Sequence, residues 1–467
     1  MNVIAYGRPP RKTKIVCTIG PSSLSADTLK EMYEAGMDCA RINTAYGDLD
    51  QYKMIIEHVR KVGDMPIMVD IKGPEIRLHL EKARAIRKGD VVEVGFGRGA
   101  IRFDRDFGAE MNVGDAVYVD NGRIRMKVLK KTSETLLLSV MNDGELDDGK
   151  GVNVPNKELA VPHHTPRDME IIDFATAQDA EYIALSFTRS ANDITELRSE
   201  AAGYKGAIIA KIENHQGVKN FEEILDAADG VMVARGDLGV EIDLEKVPLV
   251  QKRLIRLCNQ KGKTVVTATD MLESMIVQPS PTRAEVSDVA NAILDGTDAM
   301  MLSGETSVGK YPVESVTMMA KIAKEVETAA RSQIEDEGRS VDVSDAVSRA
   351  IQRICQNMPV DRVVTLTRSG YTARMIARFK LTQPIIAVTP ESRAKRQLEL
   401  VFGVRPVHID YRNEDDRIPA VTRRLHSMKL VKDEETVLFT AAFRTRQKHA
   451  SNLIEIHKVK ELLESVD

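Results

Sequence analysis

Short apolar runs recur along the chain, each ending in a polar or glycine-bearing tip and followed by a longer stretch with helical spacing. Such runs fall at 15–19, 38–43, 66–71, 182–187, 207–212, 231–234, 264–269 and 299–303, and predict strands. Between them, 25–35, 51–62, 192–202, 217–227, 247–261 and 284–294 predict helices, with Ser25 placed to cap the first. Eight strand–helix units predict a closed (β/α)8 TIM barrel, in which chemistry gathers at the carboxyl ends of the strands. Six of the eight tips carry charged or hydroxyl residues: Arg41 with Asn43, Asp70 with Lys72, Ser186, Lys211 with Glu213, Asp237, and Thr269. A doubly wound open sheet alternates strands and helices in the same way and stays open as the other reading.

Two intervals depart from this rhythm. From about 80 to 162, short segments at 91–94, 101–103, 116–119, 124–129 and 135–140 alternate with Gly95-Phe-Gly-Arg-Gly, Asp120-Asn-Gly and Asn142-Asp-Gly. That pattern predicts a small β-barrel lid domain inserted after the third barrel strand. After about 340, a helix at 343–358 and strands at 362–366, 384–388, 404–409 and 436–439 predict a separate α/β domain, joined through the polar stretch 329–338. The expected division is 1–78 and 164–338 for the barrel, 79–163 for the lid and 339–467 for the C-terminal domain.

Residues two apart on a strand share a side, so Lys211 and Glu213 leave their strand together. One barrel unit later, Arg235-Gly-Asp-Leu-Gly239 brings Asp237 to the neighbouring tip. A divalent metal held by two carboxylates beside a fixed ammonium is what phosphoryl transfer requires. Taken singly, these are an ordinary charged strand end and an ordinary turn; their adjacency on one rim favours the chemical reading. Gly236 leaves backbone N–H groups for an anion such as a carboxylate, and Thr269 adds a hydroxyl, although a turn glycine and a strand threonine are also common structural choices. Arg41 and Asn43 share a face, and a guanidinium suits bidentate phosphate contacts. Asp70, Lys72, Glu75 and Arg77 alternate in sign, which fits a solvated ion-pair network as well as a site.

Bulk properties narrow the field. A chain of 467 residues accommodates two or three domains, and a net charge of −4 argues against nucleic acid as a partner. Short basic clusters at Thr422-Arg-Arg-Leu and 444–448 read as solvated surface. Neither a signal-peptide core nor an apolar run of about 18 residues is present, so no membrane partner is expected. Cys17, Cys39, Cys258 and Cys355 are scattered without a CxxC pair, which fits a reduced, cytoplasmic setting.

These residues resemble the pyruvate kinase family along nearly the whole chain. The resemblance is carried by Cys17-Thr-Ile-Gly-Pro21, Ala40-Arg-Ile-Asn43, Asp70-Ile-Lys-Gly-Pro-Glu-Ile-Arg77, Lys150-Gly-Val-Asn153 and Ile209-Ala-Lys-Ile-Glu-Asn214. It continues in Met232-Val-Ala-Arg-Gly-Asp-Leu-Gly-Val-Glu241, Ala268-Thr-Asp-Met-Leu-Glu-Ser-Met275, Pro281-Thr-Arg-Ala-Glu285, Asp288-Val-Ala-Asn291 and Met301-Leu-Ser-Gly-Glu-Thr306. It implies a barrel, an inserted lid and a C-terminal regulatory α/β domain. The implied reaction moves the phosphoryl group of phosphoenolpyruvate to ADP, giving pyruvate and ATP as the final step of glycolysis, in a homotetramer.

By that resemblance, Glu213 and Asp237 hold Mg2+ (or Mn2+), and Lys211 with Arg41 flanks the transferring phosphoryl group. Gly236, Asp237 and Thr269 grip the substrate carboxylate, with Thr269 near the carbon that is protonated. Asn43, Arg77 and Lys150 face the nucleotide phosphates. K+ would use Asn43, Asp70 and the carbonyl of Ile71, and Thr367, Arg368, Ser369 and Thr372 would take the phosphate of an allosteric effector. The chain also departs from the family pattern. Asn43-Thr-Ala-Tyr-Gly47 replaces Asn-Phe-Ser-His-Gly, Ile71 stands for a Thr, and no Trp exists for a sugar-bisphosphate loop at 440–448. Glu75 nevertheless matches potassium-dependent members, so K+ dependence stays open. The altered segment also leaves open a weakened, metabolite-binding relative and a preference for another nucleoside diphosphate.

Overall fold

The computed structural model describes residues 11–73, 75–157, 159, 162, 164–329, 342–411, 417–442 and 451–464. Eight parallel strands close into a barrel: Lys14–Thr18, Cys39–Asn43, Ile67–Ile71, Tyr182–Leu185, Ala207–Ile212, Gly230–Ala234, Thr264–Ala268 and Ala299–Leu302. Closure is between the last and the first, with Lys14 opposite Ala299 and Cys17 opposite Leu302. A strand ring of this kind is covered outside by helices and filled inside by its own side chains, which is why its strands read as unbroken apolar runs. The open-sheet alternative is thereby excluded.

Alternation assigns the interior. Val16, Cys39, Met68, Ala184, Ile209, Met232, Val266 and Met301 form the inner core, while Ile15, Ile42, Val69, Ile183, Ile208 and Val231 pack outward against the helices. Two residues further along each strand, the same inward direction is taken by Thr18, Arg41, Asp70, Ser186 and Lys211. A polar layer thus caps an apolar plug, and it lies at the carboxyl ends.

The helices between strands start where the side chains cap them. Ser25 accepts from the Thr28 N–H, and Thr165 with Asp168 and Thr282 with Glu285 form reciprocal capping boxes. The helix expected over 217–227 is instead two pieces, His215–Lys219 and Phe221–Ala227, broken at Asn220.

The insertion is a second closed barrel of seven strands, beginning at Ile76–Leu80 and ending at Lys150–Asn153, with Phe96, Phe103 and Phe107 packed together in its core. It rests against the main barrel through Asn153, whose Nδ2 donates to Glu241 Oε1 at 2.8 Å. The C-terminal α/β domain holds a five-stranded sheet in the order Val404–His408, Ile385–Thr389, Arg362–Leu366, Thr436–Ala441, Leu453–Lys458. The final strand is antiparallel and was not legible in the sequence, because Leu453-Ile-Glu-Ile-His-Lys458 lacks an unbroken apolar run. This domain plugs the amino-terminal end of the barrel: Leu400 joins the inner core, and Tyr182 Oη donates to the Gln397 carbonyl at 2.6 Å. Below it, Glu181 is completely buried between Arg60 and Arg396.

Candidate active site

The polar layer at the barrel mouth is a connected ion network. Arg41 Nε donates to Asp70 Oδ2 at 2.8 Å, and its Nη1 donates to Thr18 Oγ1 at 2.7 Å. Lys211 Nζ meets the other Asp70 oxygen at 3.1 Å, Ser186 Oγ at 2.6 Å and Glu213 Oε1 at 2.9 Å. Glu213 Oε2 accepts the Phe187 N–H at 2.7 Å, so both its oxygens are oriented. All four charged side chains are buried, with relative exposures of 7% for Arg41, 2% for Asp70, 8% for Lys211 and 1% for Glu213. At an effective dielectric constant near 20, contacts at these distances amount to roughly 5–6 kcal/mol each before desolvation is subtracted.

The titration behaviour follows from this geometry. Burial disfavours ionised Asp70, but Arg41 and Lys211 outweigh it and hold the carboxyl below its usual range. Burial likewise opposes the Lys211 ammonium, and Asp70 and Glu213 overcome it, so Lys211 stays protonated and cannot serve as a base. Asp237 behaves oppositely. Burial and the charge and hydrogen bond of Glu213 push it up to about 7, as two carboxyls sharing a confined space must do.

Thr269 and Asp270 have φ of 67° and 52°, a conformation a β-branched residue rarely takes. What holds them there is Arg235. Its Nη2 donates to the carbonyls of Thr269 at 2.6 Å and Asp270 at 3.1 Å, and its Nη1 pairs with Asp288 at 2.7 Å. Thr269 Oγ1 in turn accepts the Gly236 N–H at 2.7 Å and donates to the Ala268 carbonyl. Gly236 and Thr269 are therefore brought together beside Asp237, although in this arrangement the Gly236 amide is already donated.

The remaining predicted residues are more dispersed. Arg77 and Lys150 lie on adjacent lid strands, with Gly151 opposite Arg77; Arg77 Nη2 pairs with Glu75 at 2.7 Å and Lys150 with Asp120 at 3.3 Å. Asn43 Oδ1 accepts the Ala45 N–H, and the Asp70 carbonyl accepts both the Thr44 N–H and its hydroxyl. The Asp70 carboxylate itself faces two cations, Arg41 and Lys211. An open cleft runs between barrel and lid, lined by Glu75, Asn153, Phe187, Asn214, Asp237 and Glu241. In the α/β domain, Thr367 Oγ1 accepts the Gly370 N–H, Thr372 meets Ser451 at 2.5 Å, and Arg368 is exposed; 444–448 lies outside the described residues. Ser369 lies in the same loop and accepts from Arg374 through its carbonyl. Among the described residues no cluster of three or more His, Cys, Asp or Glu side chains suits a metal. Two carboxylates suffice for Mg2+, which keeps waters and substrate oxygens as its other ligands.

Comparison with known proteins decides the family. A profile described as "Pyruvate kinase, barrel domain" matches residues 10–316, and one described as "Pyruvate kinase, alpha/beta domain" matches 345–457. The chain belongs to the pyruvate kinase family. It is 41% identical to the pyruvate kinase of Geobacillus stearothermophilus, 39% to that of Bacillus licheniformis and 40% to that of Sporosarcina psychrophila. Each alignment spans 97% of this chain and 81% of the relative.

Within this pyruvate kinase fold, three contacts were not legible in the sequence. Thr18 anchors Arg41, Ser186 anchors Lys211, and Arg235 sets the Thr269 turn. Barrel alternation would have found Thr18, which ends the first strand two residues after inward-facing Val16. Arg235 sits inside a motif singled out for its glycine and aspartate, and nothing local reveals that it reaches 34 residues ahead. No helix among the described residues is long and apolar enough to cross a membrane.

Proposed function

We propose that this chain transfers the phosphoryl group of phosphoenolpyruvate to ADP, giving pyruvate and ATP. The observation that carries the reading is the convergence of Lys211 on Asp70 and Glu213 at the barrel mouth, with Asp237 against Glu213 and Arg41 locked to Asp70. Glu213 and Asp237 would hold Mg2+ (or Mn2+), which when bound neutralises charge on the oxygens around the transferred group. Lys211 and Arg41 would supply fixed positive charge on either side of that group. Because both are already oriented by Asp70, Thr18 and Ser186, no reorganisation is needed when charge develops. Gly236, Asp237 and Thr269 would orient the carboxylate end. The Thr269 hydroxyl has too high a pKa to act alone as an acid, so protonation of the enol carbon is assigned to a water it positions.

Asn43, Arg77 and Lys150 would meet the nucleotide phosphates as the lid closes, and Tyr46, 79% exposed beside Asn43, would edge that pocket. K+ at Asn43, Asp70 and the Ile71 carbonyl is the monovalent-ion site of this reading, to be tested by the K+ arm of the assay below. A small phosphorylated effector at Thr367, Arg368, Ser369 and Thr372, the division at 78, 163 and 338, a homotetramer and a cytoplasmic setting belong to the same reading; four free, buried thiols support the last.

The test is a lactate-dehydrogenase-coupled assay with several nucleoside diphosphates, run with and without K+, on wild type and Lys211→Met. Turnover with ADP that Lys211→Met abolishes while Mn2+ binding survives is the expected result, with a loss of roughly a hundredfold or more. No turnover with any nucleotide would favour the metabolite-binding alternative. Preference for a nucleotide other than ADP would revise the acceptor.

A further inference from the structure

Two segments, 72–75 and 154–165, join the lid to the barrel, and one buried carboxylate holds them both. Asp168 lies in the first turn of the helix Pro166–Ala177 and is 1% exposed. Its Oδ1 accepts the Gly73 N–H of the entering segment at 3.1 Å. Its Oδ2 accepts the Thr165 N–H and the Thr165 hydroxyl of the leaving segment, both at 2.7 Å. An ionised carboxylate suits this task because each oxygen takes its own donors. An amide in its place offers one accepting oxygen and turns an NH2 towards the other donor.

Both segments also rest on the loop that follows the barrel strand Tyr182–Leu185. Gly73 has φ 71°, and a Cβ on it would lie 3.2 Å from the Ser186 carbonyl oxygen and 3.4 Å from the Phe187 ring, so glycine is what seats the entering segment there. Ser186 and Phe187 are the same residues that orient Lys211 and Glu213, at 2.6 Å and 2.7 Å. On the leaving side, Arg189 Nη1 and Nη2 donate to the carbonyls of Leu159 and Pro162 at 3.4 Å and 3.2 Å, and Asp193 accepts the Arg189 N–H at 2.6 Å. The lid, which carries Arg77 and Lys150, is thus fastened beside the ion network, with Asp168 joining its two attachments.

We propose that Asp168 is the pivot of the lid, a positioning residue that fixes where the lid swings and so sets how readily Arg77 and Lys150 reach a nucleotide. Untying one segment spreads the lid over a wider range of positions. The closed position is then a smaller fraction of the population, and the apparent affinity for ADP falls by that fraction. Glu213, Asp237, Lys211 and Arg41 all belong to the barrel, so metal binding and the rate at saturating ADP are largely spared. The effect on ADP rests on the reaction proposed above, whereas the pivot is a property of the fold and is tested without turnover.

Spin labels on Val113→Cys in the lid and Met54→Cys on the barrel helix Leu49–Val62 read the lid–barrel distance distribution, since the four native thiols are buried. The full chain, diluted with unlabelled protein so that distances within one chain are read, is measured with and without MgADP. Asp168→Asn, Thr165→Val and Ser25→Ala are compared in this labelled background. Ser25→Ala removes the cap of a helix that holds neither lid segment, and so controls for general loosening. Asp168→Asn should broaden the nucleotide-free distribution and need about tenfold more MgADP to reach the closed distance, the worth of one charge-assisted hydrogen bond. In the coupled assay KM for ADP should rise about tenfold with it, kcat staying within about threefold of wild type and Mn2+ affinity unchanged. Thr165→Val, which removes one bond on the leaving side only, should broaden the distribution less. An unchanged distribution in both variants, equal broadening in Ser25→Ala, or a loss of kcat at unchanged KM would overturn the proposal. Broadening in Asp168→Asn without turnover in wild type would refute phosphoryl transfer and leave the pivot standing.

Discussion

Asp70 is the hub on which both cations of the barrel mouth turn, so Asp70→Asn isolates the role of preorganisation. The change keeps shape and removes one charge. It leaves Arg41 and Lys211, now bonded at 2.8 Å and 3.1 Å to one carboxylate, without their common counter-ion. Glu213 still pairs with Lys211 at 2.9 Å, so the ammonium keeps one partner, while Arg41 keeps only Thr18. Removing one member of a buried ion network costs about 3–5 kcal/mol of stability. Letting a phosphoryl-binding cation drift by about 1 Å costs on the order of a hundredfold in rate. We therefore expect kcat in the coupled assay to fall about a hundredfold, with a lowered melting temperature and KM for ADP little changed. The pH dependence carries a sign. Asp70 is held below its usual pKa, so the stability it contributes is present above the carboxylate range and is lost as pH falls through its lowered folded value. The variant should lack that acid limb. Activity within about threefold of wild type would refute the hub, because it is far smaller than the loss expected from misplaced cations. Rescue by high K+ would show that Asp70 serves a monovalent ion instead.

Three further predictions rest on other contacts. Arg235→Met should lower kcat by roughly ten- to a hundredfold by releasing the Thr269 turn, with partial rescue in Arg235→Lys, and unchanged kinetics would deny the tether any role. Asp237, pushed up to about 7 in the metal-free protein, keeps a proton that the unfolded chain has lost, so stability without metal should decline as pH rises from about 4 to 7. Mn2+ competes with that proton and should bind about tenfold more weakly at pH 6 than at pH 8, as read by calorimetry; pH-independent binding would contradict the shared-proton pair. Leu400→Ala should cost about 2–5 kcal/mol by opening a cavity where the α/β domain enters the barrel, seen as a lower melting temperature, with kcat nearly intact because the site is at the other end.

How far the sequence reached can be read from particular residues. The eight barrel strands were legible because each is buried on both faces, leaving a run of apolar residues with a polar tip. Lys211, Glu213 and Asp237 were legible because consecutive strands end on one rim. Contacts that cross the rim were not: Asp70 reads as one member of a charged segment, and only the strand order, with Ile67–Ile71 paired to Cys39–Asn43 and separated from Ala207–Ile212 by the single strand Tyr182–Leu185, brings it under both Arg41 and Lys211. Lid strands at Ile76–Leu80 and Lys150–Asn153 escaped for a related reason, since they are half-exposed, short and charged, and their partners lie about 70 residues away.

The account depends most on Glu213 and Asp237 jointly holding a divalent ion beneath the Lys211 ammonium. A crystal grown with Mg2+ and oxalate tests this directly. The account predicts one metal bonded to an oxygen from each carboxylate, with oxalate completing its shell and Lys211 alongside; a metal seated elsewhere, or the two side chains diverging, would contradict it.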